Sequence, residues 1–137
     1  MVKAKKKARY SGTAAVETAI VFPILLLLTF GVIEYGWLFL KAHQITNAAR
    51  QGARIAILPG ASNEGVIAAI DSLMTAAEMG SSGYTITFSD DVSSVPTGNM
   101  LTVTVTVSSE AVALMNIPFL PDPNNIGASV TMAKEGP

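Results

Sequence analysis

A lone carboxylate stands five residues beyond a glycine at the head of an apolar run, in Gly12-Thr13-Ala14-Ala15-Val16-Glu17. Inside hydrocarbon a carboxylate costs about 2.5–3.5 kcal/mol on insertion scales, so such a group usually has a partner. A cut after Gly12 would supply one. Thr13 would then carry an ammonium group, and Glu17 would be the fifth residue of the new chain. In copies packed side by side, the acid of one meets the amine of the next and sets axial register. Glycine suits the cut, because a protease holds its substrate extended and a missing side chain allows close approach. The plainer reading leaves Gly12 as a flexible hinge and Glu17 at the membrane interface. An acid in the first helical turns also complements the helix dipole.

Other chemistry-bearing residues are scattered. His43 is the single histidine and there is no cysteine, so thiol catalysis, disulfides and thiolate metal sites are excluded, and no transition-metal site is expected. Asp90 and Asp91 are adjacent in a Ser/Asp loop, but the glycine and terminal glutamate of a calcium loop are missing at the required offsets. Ser108-Ser109-Glu110 reads as a strand end with a helix cap rather than a catalytic serine. Neither a phosphate-cradling glycine loop nor a nucleophile elbow is present. Arg50 and Arg54, one helical turn apart, can bind phosphate, a partner's acid or lipid headgroups. Neither an enzyme nor a cofactor is expected.

These residues must be positioned by few elements, since 137 residues hold one small domain and one membrane segment. Half the residues are apolar and 14% are charged, against roughly 25% in ordinary soluble domains. Lys3, Lys5, Lys6, Lys7 and Arg9 crowd the first nine positions. From Thr13 onward, four basic residues face ten acidic ones. A basic cluster can bind nucleic acid, but this one abuts an apolar run, and the membrane explains both features: such residues stay on the cytoplasmic side beside anionic lipid. No nucleic-acid partner is expected.

Thr18 to Ile33 carries no charge, and after Glu34 the run continues through Tyr35, Trp37 and Leu40 to Lys41. The 23 residues of Thr18–Leu40 rise about 34 Å as a helix, enough for a hydrocarbon core about 30 Å thick. Pro23 is tolerated where neighbours satisfy the freed carbonyl. Tyr35 and Trp37 fall where an interfacial aromatic belt belongs. The run is longer than the apolar region of a removable secretory signal, and no small-x-small site follows it, so a single-pass, N-in/C-out anchor is expected.

Beyond Lys41 a helix is predicted to continue to Leu58. Ile45, Ala48, Ala49, Gly52, Ala56 and Ile57 form its small-residue stripe, opposite Asn47, Arg50, Gln51 and Arg54. The stripe is expected to pack on the protein's own sheet. A second helix is predicted over Glu64–Met79, capped by Ser62 or Asn63 and stopped by Gly80. Asp71 and Glu78 lie on its solvated side. Tyr84–Phe88 and Leu101–Val107 alternate as strands with threonine on the wet face. Glu110–Asn116 is predicted as a short helix, Ile117–Gly127 as an irregular loop, and Ala128–Lys134 as a third strand. The fold class is therefore α+β: a long N-terminal membrane helix continuing into a small domain, with a second helix and a three-stranded antiparallel sheet.

The chain resembles the TadE-like proteins, minor pseudopilins of tight-adherence (Flp/Tad) pilus systems. The resemblance rests on the junction Gly12–Glu17, on Val21–Leu28 followed by Phe30–Gly36, and on Ile45–Arg54. Threonine at position 18 replaces the aromatic often found there, and Trp37 stands where a basic residue is common. The resemblance implies a pilin-like plan with a leader over 1–12, a transmembrane helix over 13–40 and an exported domain over 41–137. It also implies cleavage between Gly12 and Thr13 by a prepilin peptidase, and a place in the bacterial inner membrane or in an extracellular pilus. Its implied partners are other pilin and pseudopilin subunits and the inner-membrane assembly platform. The alternative is a signal-anchored envelope protein whose outer domain is a binding module.

Overall fold

The computed structural model describes residues 9–116, 121 and 123–136. Lys3, Lys5, Lys6 and Lys7 of the expected leader lie outside the described residues. The elements are α1 (Arg9–Ala56), α2 (Asn63–Ala76), β1 (Thr85–Phe88), β2 (Met100–Ser108), α3 (Ser109–Val112) and β3 (Asn125–Ala133). The α+β architecture read from the sequence is the one found. The chain divides into two compact units between Tyr35 and Gly36.

In the first unit, α1 runs unbroken through Pro23. Val16, Ile20, Phe22, Ile24, Leu28 and Val32 are all exposed. The hydroxyls of this stretch are satisfied within the helix, where Thr18 Oγ1 donates to the Ala14 carbonyl at 2.8 Å and Thr29 Oγ1 to the Leu25 carbonyl at 2.7 Å. Neither threonine therefore brings an unmet hydroxyl to an apolar surround. Among the described residues α1 is the one helix long and apolar enough to cross a membrane.

The second unit is organised by the remainder of α1. Leu38, Lys41, Ile45, Ala48, Ala49, Gly52, Ala53 and Ala56 are buried at helical spacing, whereas Asn47, Arg50, Gln51 and Arg54 are exposed. The small residues permit a close neighbour, and at Gly52 that neighbour is α2 rather than the sheet. A Cβ there would lie 2.5 Å from Ile70 Cδ1 and 3.5 Å from Val66 Cγ1. Val66, Ile70 and Met74 of α2 complete this helical side of the core, which continues into Leu101, Val103, Val105 and Val107 of β2.

The sheet has the order β1-β2-β3 and is antiparallel throughout. Alternation sets its faces: the β2 aliphatics point into the core and its threonines point outward. On that outer face Thr102 is bonded to its cross-strand partner Thr131 and Thr104 to Ser129, each pair at 2.8 Å.

Three expectations are corrected by this unit. α2 ends at Ala76 rather than Met79, because Glu78 takes the left-handed conformation (φ 59°) that closes the helix. Its amide donates to the Thr75 carbonyl and the Met79 amide donates to the Met74 carbonyl, the paired bonds of a helix terminus usually built on glycine. The short helix stops at Val112 instead of reaching Asn116, itself left-handed at φ 47°. β3 begins at Asn125, inside the expected loop, since β2 extends to Ser108 and offers partners to Asn125 and Ile126. Positions 117–120 and 122 of that loop lie outside the described residues. Gly127 lets the added length pair, because a Cβ there would sit 2.6 Å from Thr106 Cγ2 and 2.9 Å from the Val105 carbonyl oxygen.

Candidate functional site

Gly12, Thr13 and Glu17 all lie within α1 and are exposed. Gly12 is thus helical in this structure, not extended. A side chain at Gly12 would meet nothing within 4 Å. Thr13 and Glu17 are four positions apart, so the two share one helix face. Glu17, Thr18, Val21, Phe22 and Leu25 line a shallow depression along α1, and Glu17 is the sole charge among them. Among the described residues Glu17 makes no hydrogen bond or ion pair.

Arg50 and Arg54 belong to a different place, on the second unit. With Asn47 and Gln51 of α1 and Ala69, Ser72 and Leu73 of α2 they line an open groove of about 610 Å³. Both arginines are exposed, and neither forms an ion pair among the described residues. The fixed fork of a guanidinium suits planar oxyanions, and two forks one helical turn apart suit paired carboxylates or a phosphate.

The other two cations of this unit are spent internally. Lys41 is 5% exposed, donates from Nζ to the Ala77 carbonyl at 2.7 Å, and lies 4.7 Å from the centroid of the Trp37 ring. Lys134 is 8% exposed and donates to the carbonyls of Ala56 at 2.8 Å and Val92 at 3.2 Å. Each ammonium thus meets one carbonyl at a helix C-terminus, Ala77 of α2 or Ala56 of α1, where the backbone leaves acceptors unmet and the dipole favours a cation. Trp37 does the same for α3, its indole Nε1 donating to the Val112 carbonyl at 2.9 Å. By sequence, Lys41 reads as the end of an apolar run and Trp37 as an interfacial aromatic. The missed signal was spacing, for Lys41 falls in the same helical stripe as Leu38, Ile45 and Ala48.

The remaining candidates carry no assembled chemistry. His43 is exposed and stands edge-on to Phe39, ring centroids 4.3 Å apart. Asp91 Oδ1 accepts from the Ser93 amide at 3.0 Å and hydroxyl at 2.8 Å, and these bonds hold its carboxyl below the usual range. Ser109 is buried and its hydroxyl points to the Asn124 carbonyl at 3.4 Å. Asp71, expected on the solvated side of α2, accepts from the Tyr84 hydroxyl at 2.7 Å. Burial, then that bond, then the Asp71 charge push the phenol up to about 12. Among the described residues no group of three or more His, Asp or Glu side chains is placed to hold a metal ion.

The class defined by these features is a chain with one membrane-length helix leading into a small α+β unit. Residues 12–54 match the family model of TadE-like protein, in agreement with the resemblance to TadE-like proteins of Tad pilus systems. The matched segment contains Gly12, Thr13, Glu17, Arg50 and Arg54 and excludes α2 and the whole sheet. No curated protein and no solved structure matches the chain significantly.

Proposed function

We propose that this chain is a minor pilin-like (pseudopilin) subunit of a Tad/Flp-type pilus. α1 anchors it in the inner membrane, N-in/C-out, and a prepilin peptidase removes residues 1–12. The mature subunits pack through their N-terminal helices with the inner-membrane assembly platform and other pilin and pseudopilin subunits. The observation that carries this reading is Glu17, a carboxylate without a partner among the described residues on an exposed apolar helix. Cleavage after Gly12 creates the missing cation at Thr13 of a neighbouring subunit. Gly12 has no side chain and open space around it, so a peptidase can approach its backbone closely and draw it into extended form.

The groove beside Arg50 and Arg54 supports a second reading, a signal-anchored protein whose outer unit binds a ligand. The two readings separate in a strain that assembles the pilus. The subunit reading expects Glu17→Ala to be cleaved normally yet to be depleted from sheared filaments and from complexes with neighbouring subunits. It expects Gly12→Phe to stay uncleaved in the membrane. Normal incorporation of Glu17→Ala would reject the pairing role of Glu17.

A further inference from the structure

We propose that the groove between α1 and α2 seats the Asp90–Asp91 loop of a second copy of this chain. From Gly36 onward the chain carries four basic and eight acidic residues, and Lys41 and Lys134 are buried against carbonyls. Arg50 and Arg54 are the two exposed cations that remain, and both lie on one groove of an otherwise acidic surface. Such a surface attracts its own acidic regions and repels them elsewhere.

The loop that carries Asp90 and Asp91 is held in place. Val92 is buried; its amide donates to Asn63 Oδ1 at 3.0 Å, and its carbonyl accepts from Lys134 Nζ. The backbone beside Asp90 and Asp91 is therefore pinned from both sides. Ser93 fixes one oxygen of Asp91 by two hydrogen bonds, and the other makes none among the described residues. Asp90 and Asp91 are both exposed, and they are the only adjacent acids in the chain. A pinned loop with one carboxylate already held loses less freedom on meeting two guanidiniums one turn apart.

Lipid phosphate is the competing ligand of the same chemistry. Arg50 and Arg54 follow the apolar run's last residue, Leu40, by ten and fourteen residues, about 15 and 21 Å of helix rise. The polar layer of a bilayer leaflet is only about 5–8 Å deep, so an acidic protein loop is the better fit. Groove and loop are different surfaces, so the contact is head-to-tail and propagates along an assembly. It deepens the proposed subunit role but does not require removal of the leader.

The absence of cysteine permits a direct test on the full-length chain in detergent micelles. Gln51→Cys places a thiol in the groove and Ser94→Cys places one beside the loop. Mixed and oxidised, these two variants should form a disulfide heterodimer in excess of either homodimer. Adding Arg50→Glu and Arg54→Glu to the groove variant should lower the yield about tenfold. Asp90→Lys and Asp91→Lys in the loop variant should then restore it. A yield indifferent to these reversals, or no heterodimer, overturns the proposal. So does loss of the heterodimer on adding phosphatidylglycerol but not phosphatidylcholine, which would assign the groove to a headgroup. No peptidase or pilus component is present, so a negative result leaves the subunit reading standing. An intact N-terminus in cells likewise leaves the loop contact standing.

Discussion

Lys41 Nζ donates to the Ala77 carbonyl across 36 residues of chain, so a cation from one helix closes the last turn of another. Lys134 closes the end of α1 in the same manner through Ala56. The second unit therefore has its helix ends tied by buried ammonium groups rather than by glycine alone. A small core gains most from such ties, since it has little apolar surface to bury.

Lys41→Met keeps the bulk of the side chain but leaves the Ala77 carbonyl unmet. A partly buried carbonyl without its charged donor costs about 1–2 kcal/mol. For a unit of this size that lowers Tm by roughly 4–12 °C. Trp37 is the sole tryptophan and lies beside Lys41, so its fluorescence reports both the melt and the altered contact. An unchanged Tm would show that the bond contributes nothing.

Gly52→Ala drives a methyl group toward Ile70 and should cost about 1–3 kcal/mol, read as a lower unfolding midpoint of the full chain in micelles. Ile70→Ala alone also destabilises by opening a cavity. Because the new methyl occupies part of that space, the double variant should lose less than the two single losses added together. Strict additivity would contradict the close approach of α1 and α2.

Glu78→Gly should stabilise the protein by about 0.5–1 kcal/mol. The left-handed conformation strains a side chain at this position, and glycine adopts it freely. The hydrogen bonds of Met79 and Glu78 to α2 are made by backbone and survive the change. A destabilised Glu78→Gly would mean the glutamate side chain holds the turn by a contact of its own.

What the sequence revealed and what it hid follow different physics. The stripe of Ile45, Ala48, Ala49 and Gly52 and the alternation of Leu101–Val107 are local periodicities, and they gave the helix and the strand with their correct inward faces. Ser62 was legible as a cap of α2, its hydroxyl accepting from the Gly65 amide at 3.3 Å. The lysine and tryptophan bonds join residues 36 to 78 positions apart, so spacing could place Lys41 in the buried stripe but could not name the carbonyl it meets. Glu78 in a glycine's conformation and Asn125 in a strand were hidden because neighbouring structure overrode their own preferences. At the candidate site, the spacing of Arg50 and Arg54 was visible, but the groove that α2 builds beside them was not.

Tyr84 supplies a pH test. Its phenol is held neutral, with its pKa pushed up from 10.0 to about 12 by burial and by Asp71. A pKa raised in the fold gives stability that is complete below pH 10 and is lost as pH rises from 10 toward 12. Tyr84→Phe should be less stable than the wild type near neutral pH, and the gap should close over that window. Parallel melts of the two proteins from pH 8 to 12 check this. A gap independent of pH would contradict the raised pKa of Tyr84.

The central claim is that Glu17 meets an ammonium group created at Thr13. The most direct measurement is the N-terminal sequence of the protein extracted from membranes of cells that express the prepilin peptidase. The account predicts a chain beginning at Thr13, with Glu17 as its fifth residue. A chain that still begins at Met1 or Val2 in those cells would contradict it.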